Sequence, residues 1–199
     1  MSKILLAAVI LAVSAAPMAH AANAPAAANA TLGGPLIKGV CFLSRQAVVA
    51  NAKVGVAVTE RINQLKAQAQ AEVDASRGPI DADARALQAD AAKGAAAADI
   101  ERRRAAIQAR YQTLQGLVDQ RNREVQATEA KALGRVAAEM QPMLVAAYKA
   151  HGCGLLFDRN AVIDGNMGED LTGELVKSLD AKVTTMTFDR EVLPAAARK

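Results

Sequence analysis

Three groups of residues in this chain have types that could do chemistry. Cys41 and Cys153 are its only cysteines, and an even pair in an oxidising compartment can close a disulfide. The alternative for them is two buried free thiols. His151 lies two residues from Cys153 and could join the pair on a metal ion, but three donors fall short of a closed tetrahedral shell. Arg102, Arg103 and Arg104 form the one concentration of positive charge. Such a cluster suits an acidic partner or anionic lipid head groups, or is simply a solvated helix face. No carboxylate pair, nucleophile with a base, phosphate loop or metal cluster stands out. Catalysis is therefore not expected, and no cofactor is implied.

What must position these groups is the stretch between the cysteines. Residues 48–151 read as one long helix out, a turn, and one long helix back. On the outgoing limb Val58, Ile62, Leu65, Ala69, Val73, Ser76, Ile80 and Leu87 recur in steps that are mostly threes and fours, so they share one face. The return limb reads Ile100, Ile107, Leu114, Val118, Val125, Val136, Met140 and Leu144. Its first steps are heptads, which favour two helices winding together. Lys93-Gly94 marks the tip, where the seam lapses into alanines. Each limb is then on the order of 45–55 residues, or ~70–80 Å. This geometry sets Cys41 and Cys153 side by side at the foot, where a bridge would staple the hairpin.

Breakers interrupt both limbs. Gly78-Pro79 falls inside the outgoing one, and a proline there removes a hydrogen bond and clashes one turn back. Because the seam continues through Ile80 and Leu87, a kink is expected at 78–79 and not the turn. Pro142 sits near the end of the return limb. Gly78, Pro79 and Pro142 are therefore the candidate hinges of an arm able to bend.

The first residues have the pattern of a secretory signal. Lys3 precedes an apolar run over residues 4–16, and Ala19-His20-Ala21 supplies small residues at a cleavage site. Residues 1–21 should leave on export, with His20 among them. The run is short of the ~20 residues that span a bilayer. Residues 22–35 are Ala, Asn, Gly and Pro without charge, and read as a flexible leader.

Composition agrees with a thin shape. The hydrophobic share is 52%, yet aromatics are 3% and Trp is absent. Much of the apolar content is alanine, which makes good helices and poor cores. The net charge of +4 is modest and mixed in sign along the arms. Without interleaved aromatics, nucleic-acid binding is not expected.

The foot is assembled from both ends. Residues 36–43 read as a strand with Ser44 as the following N-cap. After His151-Gly152-Cys153-Gly154 closes the return helix, residues 155–157 and 161–163 read as strands around a turn at Asp158-Arg159-Asn160. Asp170 should cap a short helix burying Leu171, Leu175, Val176 and Leu179. Residues 183–188 could add a last strand, and residues 191–199 read as a tail. The expected fold is mainly α with a small β base (α+β). Residues 36–47 and 152–190 form the body, and the hairpin of residues 48–151 projects from it. So few strands bury too little alone, so the base should oligomerise.

The order of these elements resembles the Skp/OmpH family of periplasmic chaperones over roughly residues 38–180. The more specific part is residues 154–179, with Asp158-Arg159-Asn160-Ala161-Val162 and Asp170-Leu171-Thr172. The resemblance implies a homotrimer whose β segments share a body and whose arms surround a cavity. It implies an ATP-independent periplasmic holdase for unfolded outer-membrane proteins. The alternative is a periplasmic coiled-coil adaptor with one folded partner. This chain departs from the family pattern in its alanine-rich, less basic arms and in its two cysteines.

Overall fold

The structure is a computed structural model, and it describes residues 33–194. The signal expected at 1–21, most of the leader and the last five residues lie outside the described residues. The element order is β1 (Val40–Leu43), α1 (Arg45–Asn51), α2 (Lys53–Ala92), α3 (Ala97–Ala150), β2 (Leu155–Asp158) and α4 (Thr172–Lys182). Helices α2 and α3 form the antiparallel hairpin. Their 40 and 54 residues span ~60 and ~80 Å.

The seam is buried as its spacing requires. Val58, Ile62, Leu65, Ala69, Val73, Ile80 and Leu87 from α2 face Ile100, Leu114, Val125, Val136, Met140 and Leu144 from α3. Ile107 and Val118 are half-buried, and Ser76 is exposed. The gap between Val125 and Val136 is filled by Thr128 and Ala132, at steps of three and four. The turn occupies residues 93–96, where Gly94 takes φ +82°, a left-handed conformation that favours glycine.

The outgoing limb does not begin as one helix. At Ala52 the backbone is extended (φ −74°, ψ 141°), and this break separates α1 from α2. It lets α1 fold back on the first turn of α2, so closely that a Cβ on Gly55 would stand 1.8 Å from the Val49 carbonyl oxygen. Gly55 is required by this approach.

Strands β1 and β2 pair in parallel, Val40 with Leu155 through Leu43 with Asp158, so the whole hairpin is their crossover connection. On the other edge of β1, Phe42 donates to the Glu169 carbonyl (3.0 Å) and accepts from the Leu171 N–H (2.9 Å). Ser44 caps α1, accepting from the Ala47 N–H at 3.1 Å. Asp170 accepts from the Thr172 N–H at 2.9 Å at the start of α4. Helix α4 then buries Leu171, Leu175 and Leu179 completely.

Two expected strands do not form. Residues 159–161 make a 3-10 turn, because the Asp158 carboxylate takes the Asn160 N–H at 2.8 Å. Both edges of β1 are already in use, and Ile163 is left fully exposed. Residues 183–188 lie on helices, whose backbone groups are satisfied internally, so no ladder can be built there. Val183, Met186 and Phe188 pack against the foot core instead.

Candidate functional site

The foot is tied chemically as well as by packing. The structure joins Cys41 to Cys153 in a disulfide, with Cα atoms 5.7 Å apart. His151, at the C-cap of α3, bridges two carboxylates: Nδ1 is 2.7 Å from Glu169 and Nε2 is 2.8 Å from Glu174. The Glu169 contact first, then the Glu174 contact, hold the imidazole pKa above its usual value. The imidazole thereby links the end of α3 to the loop before α4 and to the first turn of α4.

At the tip the three arginines are each set against a carboxylate. Arg102 pairs with Asp99 and Arg104 with Glu101, one turn back on the same helix. Arg103 reaches across the turn to Asp90 at 2.8 Å. The tip therefore presents alternating charge and not a bare cationic patch. Farther down, Arg110 pairs with Asp83, and the Tyr111 hydroxyl donates to Asp81 at 2.7 Å.

Both hinge candidates lie inside unbroken helices. Gly78 and Pro79 are exposed in α2, in the sparsely packed outer half, and nothing lies within 4 Å of a Cβ built on Gly78. Pro142 is also exposed, but its neighbours Met140 and Leu144 belong to the foot core.

The arms hold a feature the sequence did not announce. Glu124 is 1% exposed, where the pattern Arg121 to Glu124 reads as a mixed-charge solvated face. Its Oε1 accepts from Gln120 at 3.0 Å, and its Oε2 accepts from Arg121 at 2.8 Å. Arg190 approaches the same oxygen at 3.3 Å and also reaches Glu72 at 2.8 Å. Burial pulls both carboxylates upward. For Glu124 the bonds from Gln120, the Leu193 N–H and Arg121 outweigh it, and for Glu72 those from Arg190 and Arg121 do, so both lie below the usual range. No local signal marks this cluster, because Arg190 comes from a remote segment. Beside it an open groove of 410 Å³ runs between the helices, lined by Lys66, Ala69, Val73, Val118, Arg121 and Val125 among others.

Among the described residues no group of His, Cys, Asp and Glu is arranged to hold a metal ion. Nor is any helix there long and apolar enough to cross a membrane.

Two rods rising from a small β foot define a helical-arm protein, one that offers surface along its length instead of enclosing a pocket. The model of the OmpH-like outer membrane protein family matches residues 39–179, and the chain belongs to that family. A solved structure of a candidate outer membrane chaperone (OmpH-like) from Caulobacter crescentus CB15 is similar, at 38% identity and a TM-score of 0.70. That likeness covers 80% of this chain and 94% of the other. No curated protein matches the chain significantly. Family and fold together support a chaperone role.

Proposed function

We propose that this protein is an ATP-independent periplasmic holdase that binds unfolded outer-membrane proteins between its arms. The observation that carries the reading is the arm pair itself, in a chain of the OmpH-like family. Two long helices share a core one residue wide, so most of their surface remains for contact. Tyr111, Leu133 and Val145 offer apolar area on that surface. Shallow contacts of this kind are individually weak and become useful through number. Residues 1–21 direct export and are then removed. Three chains associate through the foot, where Leu155 and Phe157 are exposed on a sheet too small to stand alone and Ile163 is exposed in the loop beyond it. Gly78-Pro79 lets each arm bend so that the enclosed space fits clients of different size. The paired arginines at the tip give no support to a contact with anionic lipid, and the proposed partner is protein.

The test is aggregation of a urea-unfolded outer-membrane protein on dilution, followed by light scattering. Suppression at near-stoichiometric trimer is expected without nucleotide. Aggregation that proceeds unchanged at excess trimer defeats the reading, as does capture of one folded partner in place of many unfolded ones.

A further inference from the structure

The family match ends at residue 179, but the chain does not. Residues 183–193 run extended along the arms for ~35 Å, toward the level of Glu72 and Gln120. Five arm side chains bond to the backbone of this strap. Arg135 donates to the Thr187 carbonyl at 3.3 Å and Arg61 Nε to the Phe188 carbonyl at 3.1 Å. Gln120 donates to the Leu193 carbonyl at 3.3 Å. In the other direction, the Glu191 N–H donates to Thr128 Oγ1 at 2.8 Å and the Leu193 N–H to Glu124 at 3.4 Å. Side chains alternate over most of the strap. Met186, Phe188, Arg190 and Leu193 turn inward, whereas Thr187, Asp189 and Val192 are exposed.

Contacts to carbonyls and N–H groups do not depend on side-chain identity. A row of them along a helix pair suits an extended chain that brings apolar residues where Met186, Phe188 and Leu193 lie and a cation where Arg190 meets Glu72 and Glu124. The strap fills this seat loosely. A cavity of 220 Å³ remains between it and α3, bordered by Thr128, Ala132, Phe188 and Glu191 among others. Two of its ion pairs, Arg61 with Asp189 and Lys131 with Glu191, each have one well-exposed partner and are individually weak. The firm contact is Arg190, which lies between Glu72 and the buried Glu124.

We propose that the arm face bearing Arg61, Gln120, Glu124, Thr128 and Arg135 is a binding seat for an extended segment of an unfolded polypeptide, covered in the resting chain by its own residues 183–193. The proposal rests on the holdase reading for the identity of the incoming chain, but not for the existence of the seat. Arg190 is the latch, and an incoming strand takes the backbone contacts that the strap gives up.

The probe is a fluorescent peptide of residues 183–194, titrated by anisotropy against the full-length protein. Arg190→Glu places a third carboxylate beside Glu72 and Glu124 and should free the strap without altering the seat. Expected is at least tenfold tighter peptide binding by this variant than by the parent. Methylating the peptide nitrogens of residues 191 and 193 should abolish the gain, and an unfolded outer-membrane polypeptide should compete. Glu191→Pro, which removes the N–H given to Thr128 but keeps Met186 and Phe188, serves if the first variant does not melt cooperatively. If neither variant binds the peptide better than the parent, the seat is overturned. If the peptide binds and unfolded polypeptide does not displace it, the assignment of its occupant is overturned. Failure to suppress aggregation, with peptide capture intact, would instead remove the holding function and leave the seat.

Discussion

The foot and the outer arm are made from the same two helices, yet they are held differently. At the foot a cluster of sixteen buried residues draws on both limbs, β1 and α4. In the outer arm the corresponding cluster is Val73, Ile80 and Leu114. The foot adds a disulfide and a histidine clamp. The outer arm has polar pairs on its surface, such as Arg110 with Asp83, which contribute little each. The difference teaches where motion belongs. A region with a core one side chain deep opens more easily than one closed from several sides, and Gly78-Pro79 falls in the former.

The largest test of that contrast is removal of the bridge. Replacing Cys41 and Cys153 together by alanine frees a loop that contains the entire hairpin. On the chain-entropy account this costs about 4–5 kcal/mol, read as a shift of the urea midpoint. A shift near zero would mean that packing alone closes the foot.

Next come matched truncations. Leu175→Ala at the fully buried heart of the foot should cost about 3 kcal/mol in global unfolding. Val73→Ala in the outer arm should cost about 1–2 kcal/mol. Its effect should show as faster amide exchange in the outer arm, with the foot unchanged. Equal losses with uniform exchange would erase the distinction between the regions.

The smallest effect is the clamp at His151. Its folded pKa is raised by Glu169 and Glu174 above the ordinary histidine value, so the protonated form favours the folded state. The contribution is complete below the unfolded value near 6.5 and is lost as pH rises through the folded value. The urea midpoint of the parent should therefore fall over that interval. His151→Gln should flatten that part of the profile, and an unchanged slope would show that another group titrates there.

Much of the fold was legible because a long amphipathic helix writes its buried face at fixed spacing. Met140 and Leu144 were readable in this way, as were Leu171, Leu175 and Leu179. Misreadings came where neighbours decide. Residues 161–163 have strand-like side chains, but a strand needs a free edge, and β1 has none to give. Residues 183–188 meet helices and stay extended without a ladder. Nothing local marks Gly55 as indispensable, yet it sits where α1 folds back against α2.

By itself the sequence determined the two limbs, the turn between them and the meeting of the two ends of the hairpin at the foot, because periodicity and turn residues are local properties. Only the tertiary structure decided that Glu124 is buried and that residues 183–193 lie along the arms. Glu124 carries no local mark of burial. It is covered because Arg190, remote in sequence, brings the opposite charge and a length of chain to the same place, and such a meeting exists only once the hairpin has formed.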